Sequence, residues 1–208
     1  MVYPQFDSNW VSLLCTAGPR PLITTGWLRL WLTGHFQLAN LEDQSQAVQH
    51  MLWTPVSTTG IMIESITRWL PEMTEKRPAV IIKRNPWKRI RLGIGDKMLG
   101  LTELDGQGVY ANAWQGSHTL FCITGKGAET ELLAAEVYRE MNEFGPVFRE
   151  VLDLLRFEVS EVGDLMILDE ARQNFVVPIV VAYAFVEGWR IRREVPVLKT
   201  ASVTLLTP

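Results

Sequence analysis

Gly125-Lys126-Gly127 is the stretch of this 208-residue sequence closest to a recognisable chemical motif. A glycine turn ahead of a helical pattern can offer free N–H groups to an anion. A Walker loop, however, needs Gly-x-x-x-x-Gly-Lys-Ser/Thr. Here a glycine follows the lysine, and Glu129 and Glu131 stand where they would repel phosphate. A plain turn is the favoured reading. Gly93-x-Gly95 has Met98 where a dinucleotide loop needs its third glycine. His35, His50 and His118 sit in unrelated contexts, and Asp164, Asp169 and Glu170 lack metal-ligand spacing. Cys15 and Cys122 are too few for a disulfide framework and too isolated for a zinc site. No catalytic, cofactor or metal constellation emerges, so none of these residues is assigned such a role and an enzyme is not expected.

Charge is the stronger signal, because it is segregated along the chain. Residues 76–97 hold eight basic residues and a single acid, Asp96, whereas residues 129–170 hold twelve acids and three arginines. Two solvated faces on one monomer would explain this. A head-to-tail subunit contact would too, as would contact with a nucleic-acid backbone. Lys83, Arg84, Lys88, Arg89 and Arg91 are the candidates for a subunit interface or a DNA-facing lumen. Arg89 and Arg91, two apart, share one side of a strand, and Lys83 points opposite to Arg84. The net charge of −3 names no partner.

The elements that must carry these residues divide into a leader and a cleaner α+β pattern. Residues 1–58 hold half of the tryptophans, Trp10, Trp27, Trp31 and Trp53, with a break at Gly18-Pro19-Arg20-Pro21. Leu28, Leu30 and Leu32 alternate with Arg29 and Trp31, which suits a strand or an extended arm. A capped helix is expected over 41–53. Such a leader either packs on its own domain or reaches onto a neighbouring subunit, where tryptophan is enriched. The expectation is contact with a neighbour through Trp10, Trp27 and Trp31. No membrane span is expected: the apolar piece 22–32 is about half the ~20 residues a span needs, it contains Arg29, and no signal peptide is legible.

Strands are expected from Ile61 to Trp69, over 78–84 between Pro78 and Asn85-Pro86, and over 87–94. Residues 95–108 hold four glycines and read as a long loop. Residues 109–114 and 117–124 form an expected hairpin around Gln115-Gly116. A helix follows over 128–144, with Leu133, Val137, Met141 and Phe144 on one stripe and glutamates on the other sides. Gly145-Pro146 ends it and starts a short second helix. A strand over 155–162 and a loop or short helix over 165–171 lead to the longest β run, 174–191. There Phe175, Val177, Ile179, Val181, Tyr183 and Phe185 line one side. Pro178 cannot donate to a ladder and belongs at an edge or bulge. Residues 192–208 form a tail with apolar residues at Val195 to Leu198 and Val203 to Leu206.

Three stretches carry a resemblance: Trp69-Leu-Pro-Glu72 with Lys76-Arg-Pro-Ala-Val80, Gly116-Ser-His-Thr-Leu-Phe-Cys-Ile-Thr-Gly-Lys-Gly-Ala-Glu129 with its helix, and Asn174-Phe-Val-Val-Pro-Ile-Val-Val-Ala-Tyr-Ala-Phe-Val-Glu187. Together, over about residues 60–191, they resemble small neck proteins of tailed bacteriophages, the tail terminators most of all. The resemblance implies an α+β fold, a mixed, mainly antiparallel sheet backed by one long and one short helix, with residues 1–58 as an extended N-terminal arm, 59–191 as the domain and 192–208 as a tail. It also implies a ring, commonly of six subunits, in the virion at the head–tail junction. The ring's partners would be the tail tube and the head connector, with DNA passing through the lumen, no cofactor and no membrane. Another neck connector, or a nucleic-acid-binding accessory protein using residues 83–91, is the alternative.

Overall fold

The computed structural model describes residues 20–37, 61–70, 78–90, 98–102, 107–168 and 174–192. These residues make an α+β fold: an eight-stranded mixed sheet with three helices. The strands are β1 (Met62–Ser65), β2 (Ala79–Arg84), β3 (Lys88–Ile90), β4 (Met98–Thr102), β5 (Gln107–Thr124), β6 (Arg156–Val162), β7 (Met166–Ile167) and β8 (Phe175–Arg192). The main path runs β1-β2-β5-β8-β6, with β3 and β4 also on β5 and β7 also on β8. Only β1 and β2 pair in parallel; every other pairing is antiparallel.

The spine is the β5–β8 ladder, in register from Gln107↔Arg192 to Thr124↔Phe175. The expected hairpin at Gln115-Gly116 is therefore replaced by one continuous strand. Gly116 marks a close approach instead of a turn: a Cβ there would lie 2.7 Å from the Tyr183 ring on β8. The expected loop over 95–108 is likewise interrupted by β4, whose few apolar residues gain their pairing from β5. The strand expected from Ile61 to Trp69 ends early, at Ser65, and β7 occupies part of the expected loop or helix over 165–171.

Pro178 lies inside β8 and is accommodated by its neighbours. In an antiparallel strand, a residue's N–H and C=O point to the same side. The Pro178 carbonyl accepts from the Gly163 N–H at 2.7 Å. The missing donor thus faces the Gly163 turn, where β6 has ended at Ile179 and β7 begins at Val176. A Cβ on Gly163 would meet the proline ring at 2.6 Å.

All three helices contribute to one cluster on one face of the sheet. The second, α2 (Gly127–Glu143), follows the expected stripe and buries Leu133, Val137 and Met141. The third, α3 (Gly145–Val151), buries Phe148. The first, α1 (Arg20–His35), corrects the reading of an extended arm. Thr24, Trp27, Leu28, Trp31 and Leu32 are buried at the i, i+3, i+4, i+7, i+8 spacing of a helix. Trp27 and Trp31 stack at 4.9 Å and both pack edge-on to Phe148. This part of the leader belongs to the domain's own core. The burial of two tryptophan side chains outweighs the poor helix propensity of the Ile23-Thr24-Thr25-Gly26 run. Pro21 sits in the first turn, where its missing N–H costs nothing. The expected helix over 41–53 and the tail 193–208 lie outside the described residues.

Candidate functional site

Register places the basic candidates on both faces of the sheet. Lys83 pairs with Thr119 and Lys88 with Gln115; Arg84 pairs with His118 and Arg89 with Trp114. Cross-strand partners share a face, and faces alternate along a strand. Lys83 and Lys88 therefore lie on the face away from the helices, and Arg84 and Arg89 on the helix side. Within each pair the charges stand four β5 positions apart, about 13 Å at ~3.3 Å per residue. That exceeds a Debye length of about 8 Å at physiological salt, so the four do not add to one concentrated patch. Arg91 and Trp10 lie outside the described residues. Trp87, between these basic residues, packs on Trp114 at 4.9 Å and Phe185 at 5.9 Å.

Two polar clusters are buried beneath the helices. In the first, His118 is fully buried. Thr25 Oγ1 donates to the Pro21 carbonyl at 2.9 Å and lies 2.7 Å from His118 Nε2. With its one hydrogen committed to the carbonyl, Thr25 accepts from Nε2–H. Nδ1 is then a bare lone pair, without a partner among the described residues. Burial, with the nearby Arg84 charge, holds the His118 pKa down at about 4, so the ring is neutral at pH 7. It stacks on Tyr183, whose pKa burial pushes up.

The second cluster buries two of the glutamates that flank the apolar stripe of α2, while Glu131 and Glu143 are exposed. Glu136 and Glu140 are 3% and 6% exposed. His35 lies between them, Nε2 at 3.0 Å from Glu136 Oε1 and Nδ1 at 3.4 Å from Glu140 Oε2. Trp31 Nε1 donates to Glu140 Oε1 at 2.7 Å, and Arg139 donates to Glu136 at 2.7 Å. Burial pushes the Glu140 pKa up, partly offset by His35 and the Trp31 hydrogen bond. Both clusters are polar ties between α1 and the rest of the core. Cys122 is fully buried with its pKa raised, an inert core thiol. Among the described residues no group of three or more His, Cys, Asp or Glu is arranged to hold a metal. Among them, too, no helix is long and apolar enough to cross a membrane.

Among the described residues, one surface with a clear capacity to bind is apolar. On the face away from the helices, at the Phe175 end of β8, a groove of about 360 Å³ runs from Ile66 and Trp69 across Ile81, Phe121 and Val176 to Ile167. Ile167 is 59% and Met166 48% exposed, and Leu70 beside Trp69 is 55% exposed. Sequence reading missed this groove because its walls come from five separated stretches. The one available signal was an apolar Leu165-Met166-Ile167-Leu168 run in a segment read as a loop or short helix. The chain matches no family model and no curated protein.

Proposed function

We propose that this chain is a structural protein of a tailed-phage virion. In this reading it assembles as a ring at the head–tail junction, capping the tail tube and joining it to the head connector. The observation that carries the reading is where the resembling stretches fall. Residues 116–129 and 174–187 supply the paired central strands and the start of the helix behind them. They are thus one contiguous structural unit of the kind the resemblance implies. A sheet with helices on one face only, among the described residues, leaves a broad second face for neighbours, as a ring subunit requires. The nucleic-acid alternative draws less support, since the basic residues divide between two faces and Trp87 is engaged in packing. The test is to delete the gene in the phage genome that encodes it and view the lysate by electron microscopy. Filled heads accumulating apart from tails, restored by supplying the chain in trans, is the expected result. Joined particles of normal form would refute the reading.

A further inference from the structure

We propose that the apolar groove at the Phe175 end of β8 receives the C-terminal segment 201–206 of a second copy of this chain. The proposal rests on the reading above only in that copies of the chain meet one another. Four observations select this occupant. First, the groove wall is apolar and asks for an uncharged partner. Residues 200–207, Thr-Ala-Ser-Val-Thr-Leu-Leu-Thr, are such a run, with three branched apolar side chains. Second, the width fits. The groove crosses the sheet from beside β1 to β7, four strand spacings on the path β1-β2-β5-β8-β7. That is about 19 Å, the span of about six extended residues. Third, the groove stands uncovered among the described residues: Met166 and Ile167 are 48% and 59% exposed, so apolar surface is left there for an occupant to bury.

The fourth observation makes the donor another molecule. β8 begins at the groove, with Val176 in its wall, and ends at Arg192. Those sixteen steps carry the chain about 53 Å away at ~3.3 Å per residue. Leu206 lies only fourteen steps beyond Arg192, about 46 Å at the same rise. To fill its own groove, the segment would have to double straight back at full stretch, with nothing left for a turn. A neighbour whose β8 end lies near the groove meets no such limit. The contact is heterologous, groove of one copy to tail of the next, the type that closes rings.

The experiment uses full-length chains carrying Cys15→Ser. One population carries Ile167→Cys and another Leu205→Cys; each is oxidised alone and mixed, then run on a non-reducing gel. A covalent dimer formed only in the mixture is the expected result. No dimer in the mixture, or as much from either population alone, would overturn the proposal. So would an intrachain bond at high dilution in a chain carrying both cysteines. Independently, Val203→Asp with Leu205→Asp should lower the assembled mass in sedimentation while the circular dichroism spectrum is kept; an unchanged mass would also overturn it. The cross-link reports tail exchange whether or not the assembly belongs to a phage neck, so its failure and that of the virion reading are separable.

Discussion

The same strands build both faces of the central sheet, and the two faces differ in the size of what they present. On β8 the helix side carries Val177, Ile179, Val181, Tyr183 and Phe185, none more than 4% exposed. The other side carries Val176, Pro178, Val180, Ala182 and Ala184, of which only Val176 is buried. Large residues meet α1, α2 and α3 in one cluster of interlocking side chains. Small ones make a low, half-exposed surface with a minor cluster around Met62, Ala79, Ile81, Ile123 and Val176 at one end. Alternation along a strand requires two faces but does not say how thick a layer each supports. Here one face holds the fold together, while the other leaves apolar surface exposed.

If that division is right, the largest stability losses come from the helix side. Trp31→Ala should cost about 3–5 kcal/mol in urea unfolding, as for a buried aromatic, because it empties the contact with Phe148 and takes the indole donor from Glu140 Oε1. Leu133→Ala, fully buried on α2, should cost about 2–5 kcal/mol. A loss under about 0.5 kcal/mol for either, typical of exposed sites, would show that its helix does not belong to the core.

Acid should weaken the same side through His118. Its folded pKa, about 4, lies below the ordinary histidine value of 6.5. The unfolded chain therefore takes up the proton first as pH falls, and stability is lost between those two values. The full step is on the order of 3 kcal/mol, from 1.36 kcal/mol per unit. Glu140 works the other way, since a raised carboxyl pKa favours the folded state as pH falls. The informative quantity is thus the difference between wild type and His118→Gln across that range. Parallel stability–pH curves for the two proteins would mean that His118 is not buried as described.

Legibility in the sequence followed how local the deciding physics was. Strand β8 and helix α2 were readable, because their periodicity and the Gly145-Pro146 stop lie within the segments themselves. Gly116 and α1 were not. Gly116 looks like turn punctuation until Tyr183, sixty-seven residues on, is seen covering it. The Leu28-Leu30-Leu32 alternation masked a helix whose stabilisation comes from Phe148 and Glu140 on distant elements. The burial of Glu136 and Glu140 is of the same kind: only α1, arriving from outside the segment, turns a solvated helix side into an interior. The groove was the least legible feature, for it exists only once β1, β2, β5, β7 and β8 are aligned.

Gly116→Ala sharpens the comparison at a single atom. The added methyl would meet the Tyr183 ring, and overpacking of this sort costs about 1–3 kcal/mol. On the open face, Ile167→Ser should change stability by no more than about 0.5 kcal/mol, as is usual for exposed positions. An unfolding midpoint shifted as far as that of Leu133→Ala would mean that β7 is core and the groove is closed.

The smallest effect discriminates best, because it compares two neighbours on one strand. Arg84 pairs with His118 on the helix side and helps hold that imidazole neutral, whereas Lys83, one residue earlier, pairs with Thr119 on the open side. Both are exposed cations at the end of β2, so composition and solvation hardly separate them. Only the face does. Removing the Arg84 charge removes a repulsion felt by the protonated ring, so Arg84→Gln should move the His118 titration upward in pH. Lys83→Gln, screened by the sheet and by solvent, should leave it in place. The ring carbon shifts of His118, followed by NMR through acid titration in each variant, read this directly. Equal movement in both would mean that the two side chains reach His118 alike, and the division of the sheet into a closed and an open face would fail at the position where register defines it most sharply.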